Sequence, residues 1–135
     1  MKQLILASHS VLAEAMKETA EFFGAENIVT ISQTAEDSCF EQRAEELLEK
    51  YKDCNPVIVT DFYGGSVNQI FARKMLNHSF HLISGMNLSL VLELAFEEDV
   101  DEQFIRQAVE LSQTQVRYMN DMLSEMLNDS DEDDD

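Results

Sequence analysis

His9 closes a short apolar run, Leu4-Ile5-Leu6-Ala7, and opens onto an amphipathic segment; Asp61 stands in the matching position behind a second run, Val57-Ile58-Val59. A neutral imidazole is a competent nucleophile near pH 7, because the reference pKa of the ring is about 6.5. A carboxylate bonded to one ring nitrogen fixes the tautomer and leaves the electron pair of the other nitrogen free to attack. The pair therefore suits acceptance of a phosphoryl group on His9, with Asp61 orienting the ring. Ser10 and Ser66 offer hydroxyl donors, and Gly64 and Gly65 make a turn beside Asp61. Backbone N–H groups at the start of the first helix carry the partial positive charge that a transferred phosphate needs. A single histidine at a strand end more often caps a helix or lies buried; the carboxylate at a second strand end changes that reading.

The two residues meet only if the surrounding elements bring them together. Leu4 to Ala7 is continuously apolar, the pattern of a strand buried on both faces. From Val11 to Phe23, residues Leu12, Ala15, Met16, Thr19 and Phe22/Phe23 recur at three-to-four spacing, which predicts a helix with Ser10 as N-cap and Gly24 as its stop. A second strand over residues 27–32 precedes a helix carrying Phe40, Ala44, Leu47, Leu48 and Tyr51 on one face. The third strand passes through Gly64-Gly65-Ser66 into a helix holding Ile70, Phe71, Met75 and Leu76. A fourth, Phe80 to Ser84, is broken by Gly85 ahead of a short apolar helix, Leu88 to Phe96. Beyond an acidic break, the apolar residues from Phe104 to Met126 predict one long amphipathic helix.

Strands alternating with helices of this length predict the α/β class: a single doubly wound domain with a mostly parallel sheet, order 2-1-3-4, and helices on both faces. Strands one and three are neighbours in that order, and ligands bind beyond the carboxyl ends of the strands where the order reverses. His9 and Asp61 are thus expected to face one another. The domain is read as residues 1–127, followed by a disordered acidic tail over residues 128–135.

The 135 residues carry a formal net charge of −18, and six of those charges belong to Asp129, Asp131, Glu132, Asp133, Asp134 and Asp135. The body is acidic even without them, which disfavours nucleic acid and anionic lipid and favours a basic protein partner. Cys39 and Cys54 form no CxxC pair and have no histidine at ligand spacing, so no metal site is read and both are expected to be buried free thiols. No basic leader precedes the first strand, and no apolar run reaches the roughly 20 residues that span a bilayer, so the compartment read is the cytoplasm.

Three stretches together resemble the signatures of the mannose-family IIA component of sugar phosphotransferase systems: Ala7-Ser8-His9-Ser10-Val11-Leu12-Ala13-Glu14, Thr60-Asp61-Phe62-Tyr63-Gly64-Gly65-Ser66-Val67-Asn68 and Ser84-Gly85-Met86-Asn87-Leu88. They occur in the family's order and spacing, and the resemblance runs from Lys2 to about Leu127. It implies that His9 is the phosphorylated histidine, that Asp61 orients it, and that Gly64, Gly65 and Ser66 form the loop beside the phosphate. It also implies a homodimer that takes phosphate from the histidine-containing phosphocarrier protein and passes it to a IIB component; no cofactor is read from the sequence. Ser10 departs from the pattern, since glycine commonly follows the histidine there; Val67 and Ser89 stand where proline is frequent. These departures leave the nucleophile and its partner in place.

Two other readings share the pattern. A regulatory or dihydroxyacetone-kinase-linked paralogue would keep the phosphohistidine and change the task. A receiver-type domain would carry phosphate on Asp61, but it needs acidic residues after strand one to bind Mg²⁺, and that loop reads Ala7-Ser8-His9. His78 and His81 lie at the opposite end of strand four from the site and are assigned no role. Met119, Met122 and Met126 fit core packing or a dimer surface equally well.

Overall fold

Two of the apolar runs, Leu4 to Ala7 and Val57 to Val59, become strands buried on both faces, as the centre of a parallel sheet covered by helices requires. The computed structural model describes residues 1–133. Its elements are β1 (Gln3–His9), α1 (Leu12–Phe22), β2 (Ile28–Gln33), α2 (Phe40–Lys50), β3 (Pro56–Thr60), α3 (Ser66–Lys74), β4 (His81–Ser84), α4 (Leu88–Phe96), α5 (Glu102–Gln113) and α6 (Met119–Asp133). All three strand pairings are parallel and the order is β2-β1-β3-β4, the predicted α/β topology.

Alternation along the strands divides the core in two. Leu4, Leu6, Val57 and Val59 pack with residues of α1, α4 and α5 on one face. Ile5, Ala7 and Ile58 pack with Phe40, Ala44 and Leu48 of α2 and Val67, Ile70 and Phe71 of α3 on the other. Each buried Leu, Ile or Phe contributes about 1.5–3 kcal/mol through removal of apolar surface from water. The two layers hold β1 and β3 rigidly from above and below.

The first helix differs from its predicted face. Ala13 and Ala20 are its buried residues, whereas Leu12, Phe22 and Phe23 are exposed. Small side chains let this helix lie close to the sheet, and the large ones flank the contact. Its cap differs too. Val11 is the N-cap, and it is the buried Ser8 hydroxyl, not Ser10, that accepts the Ala13 N–H at 2.7 Å. Ser10 has φ +52°, a left-handed conformation that glycine adopts without cost and other L-residues enter at roughly 1–2 kcal/mol.

The single long C-terminal helix is replaced by α5 and α6. Thr114 and Gln115 close the end of α5 with bonds to the carbonyls of Leu111 and Ser112, while the hydroxyls of Ser112 and Thr114 donate to the carbonyls of Val109 and Leu111. Side chains that satisfy the last carbonyls remove the reason for the helix to continue. α6 reaches Asp133, six residues into the segment expected to be irregular, and residues 134–135 lie outside the described residues. Cys39 is exposed and Cys54 half-buried, so neither is the enclosed thiol expected. No helix among the described residues is long and apolar enough to cross a membrane.

Ser8→Ala should therefore cost about 1–2 kcal/mol, since it strands a buried N–H at the helix start. Ser10→Gly should raise stability by up to about 1 kcal/mol by relieving the left-handed backbone. Urea unfolding of both variants checks the pair, and equal midpoints would show that the hydroxyl of Ser8 is not the cap.

Candidate functional site

β1 and β3 are adjacent, with Ala7 opposite Thr60, so the next residues off the carboxyl ends of the two strands converge. Asp61 Oδ2 accepts the backbone N–H of His9 at 2.9 Å and lies 2.6 Å from its ring Nδ1. The second carboxylate oxygen accepts the N–H of Phe62 at 3.1 Å. Burial alone would push the Asp61 carboxyl upward, but the N–H of His9, its imidazole and the N–H of Phe62 outweigh that and hold it below the usual carboxylate range. An ionised carboxylate can only accept, so Nδ1 is the ring nitrogen that donates to Asp61, and the tautomer this contact favours has its lone pair on Nε2. Asp61 is 7% exposed and His9 38%, so the anchor is enclosed and the reactive edge open.

Nε2 lies 2.8 Å from the hydroxyl of Ser66, the first residue of α3. Nε2 thus faces the start of α3 rather than that of α1. Ser66 in turn donates to Gln33 Oε1 at 2.8 Å. Ser10 joins through its main chain, its N–H donating to the carbonyl of Gln33 at 2.8 Å. Gly64 has φ +81°, which reserves the position for glycine, and a Cβ on Gly65 would lie 2.8 Å from the Phe62 ring. That ring stands beside the imidazole with centroids 5.6 Å apart.

A chain of bonds fixes the loop to the sheet. Asn68 donates to the Thr60 hydroxyl at 3.0 Å and accepts the Gly64 N–H at 3.3 Å. Gln69 donates to the Gly64 carbonyl at 2.7 Å. Asn68 and Ser8 were not singled out in the sequence because buried polar residues inside a motif carry no periodic signal. Gln33 lacks such a signal for another reason: the apolar pattern of the second strand ends it at Ser32, whereas Gln33 is the last strand residue and pairs with His9.

A cavity of 380 Å³ opens beside the ring, lined by His9, Ser10, Gln33, Thr34, Ala35 and Asp37. A larger one of 630 Å³ lies at the amino ends of the strands, among Met1, Lys2, Gly24 and Phe96, and holds none of the site residues. Among the described residues no group of three or more His, Cys, Asp or Glu side chains is placed to hold a metal ion. His78 is bonded to Glu45 at 2.6 Å, a contact between α2 and the chain after α3 and remote from the site.

The fold recurs in solved structures. The mannose/sorbose-specific IIA subunit of a phosphotransferase system from Enterococcus faecalis is 22% identical, with a TM-score of 0.80 over 87% of this chain and 95% of the other. A structure from Klebsiella pneumoniae, described as a phosphoenolpyruvate-dependent sugar phosphotransferase system permease, is 28% identical, with a TM-score of 0.80 over 90% and 93% of the two chains. A sigma-54 interaction domain protein from Enterococcus faecalis is 19% identical with a TM-score of 0.65, over 82% and 89%. No curated protein matches by sequence. The family model described as the PTS system fructose IIA component matches residues 3–113. With that match running from β1 to the end of α5, the chain belongs to this family of mannose-type IIA components of sugar phosphotransferase systems.

Proposed function

We propose that this chain is a cytoplasmic phosphoryl carrier in which Nε2 of His9 accepts phosphate from the histidine-containing phosphocarrier protein and passes it to a IIB component for sugar uptake. The observation that carries the reading is the 2.6 Å contact between Nδ1 and Asp61, which anchors that side of the ring and turns Nε2 toward the open side of the site. Transfer places positive charge on the ring, and the Asp61 carboxylate behind Nδ1 stabilises it. The phosphoryl oxygens then face Ser66 and the positive end of α3, with Gly64 and Gly65 keeping side chains out of their way and Ser10 shaping the other side. No cofactor enters this scheme.

The working unit is proposed to be residues 1–127 assembled as a homodimer. Two features support it. α6 has Met119, Leu123, Met126 and Leu127 exposed, and Met122 is its one half-buried methionine, so core packing within the chain does not account for them. β4 is an edge strand with Leu82 and Ile83 lining an open groove beside Ile105 and Val109. A second copy of the chain covers apolar surface of this kind in many soluble proteins.

His9→Ala should abolish labelling by the phosphorylated carrier protein while the chain stays folded, since the ring supplies no core volume, with a thermal midpoint lowered by loss of the ring's bond to the enclosed Asp61 carboxylate. Mass spectrometry of the labelled peptide locates the phosphate, and retained labelling in the variant would remove His9 from the role. Asp61→Asn should keep the fold and slow single-turnover transfer by roughly 100- to 10,000-fold, or about 3–5 kcal/mol of barrier. The same variant reports on acid stability. The folded pKa of Asp61 is depressed, so its contribution is present above the unfolded value of about 3.9 and is lost as pH falls through the folded value. Urea midpoints of the wild type should drop below about pH 4 more steeply than those of Asp61→Asn. Light scattering at micromolar concentration should return twice the 15.4 kDa chain mass, unchanged when residues 128–135 are removed; a monomer would refute the assembly.

A further inference from the structure

We propose that Gln33 is a positioning residue for transfer, acting through Ser66 to keep the electron pair of His9 Nε2 available. The inference rests on the carrier reading of His9 and adds to it a residue outside the family motif. Ser66 has one hydroxyl proton and two neighbours that can accept it: Nε2 of His9 and Oε1 of Gln33, each 2.8 Å away. If the proton goes to Nε2, it occupies the lone pair that must attack phosphorus. If it goes to Gln33, that pair is free and faces an oxygen lone pair of Ser66, which raises its energy. Gln33 therefore decides whether the nucleophile rests blocked or exposed.

Its placement suits the task. Gln33 is the last residue of β2 and the registered partner of His9, and its carbonyl accepts the Ser10 N–H at 2.8 Å. The main chain that carries the amide is thus tied to the main chain that carries the ring. Asp61 holds the Nδ1 proton from the other side, so along Asp61, His9, Ser66 and Gln33 each donor has one assigned acceptor.

In the transfer itself Nε2 forms a bond to the phosphorus of a partner's phosphohistidine as the partner's N–P bond breaks, and the electron pair of that bond remains on the partner's nitrogen. No proton is exchanged: Nδ1 keeps its hydrogen and the ring becomes a cation opposite Asp61. Ser66 must release any bond to Nε2 before the nitrogen can close on phosphorus, and Gln33 is the acceptor that takes it.

Gln33→Leu removes the acceptor, Gln33→Glu keeps it and cannot donate, and the position is partly exposed, so folding is retained in both variants. Single-turnover labelling by the phosphorylated carrier should be about 10- to 100-fold slower in Gln33→Leu and return to within a few-fold of wild type in Gln33→Glu. Nitrogen-15 NMR of the unphosphorylated protein should show the Nε2 resonance of His9 shift toward that of a hydrogen-bonded acceptor in Gln33→Leu and stay in place in Gln33→Glu. Wild-type labelling rates in Gln33→Leu, or an unmoved Nε2 resonance, would overturn the proposal while leaving His9 as the carrier. A wild type that takes no phosphate overturns the carrier reading instead, and the NMR comparison, which needs no phosphate, tells the two failures apart.

Discussion

One carboxylate oxygen governs this site. Asp61 Oδ2 receives both the main-chain N–H and the ring Nδ1 of His9, so a single atom on β3 fixes where the end of β1 lies and which way its imidazole turns. Charge-assisted bonds of this kind are short and strong because the acceptor is ionised. The enclosure of Asp61 strengthens them further, and its own main-chain neighbour at Phe62 offsets the cost of burying the charge. Without the carboxylate the ring would be free to choose its tautomer, and neither Ser66 nor Gln33 would have a fixed nitrogen to address.

The rest of the structure serves to bring that oxygen to that ring. Parallel pairing of β1 with β3 sets the strand ends level, and the two core layers prevent either strand from sliding. Polar residues at the carboxyl ends then do what apolar ones cannot. Thr60 and Asn68 bind the glycine loop to the sheet, and Ser8 caps α1 from within the strand. The glycines contribute by what they lack: a left-handed backbone at Gly64 and a missing Cβ at Gly65 allow Phe62 to stand against the loop, beside the ring.

Much of this was legible in the sequence because it depends on period and position. Apolar runs that stop just before His9 and Asp61, with helical spacing between them, point to a parallel sheet, and the common order of such sheets brings the two residues face to face. The parts that escaped depend on detail finer than periodicity. One residue at the end of β2 separated a loop Gln33 from a strand Gln33, and strand ends are set by the partner's register as much as by local preference. The choice of Ser8 over Ser10 as cap followed from a positive φ that places Ser10 outside the geometry of a cap. The break between α5 and α6 came from hydroxyls competing for carbonyls, a contest that a hydrophobic pattern does not record.

The bond from His9 to Asp61 joins residues 52 positions apart in the chain, and Ser66 is 57 from the ring it faces. Closing so long a loop costs entropy that only a formed β1–β3 pairing recovers. A chain still emerging during synthesis therefore holds a histidine with neither its carboxylate nor its hydroxyl until β3 and the start of α3 are in place. The geometry around the imidazole is in this way tied to the pairing of β1 with β3, and a chain in which that pairing has not formed lacks both partners of the ring.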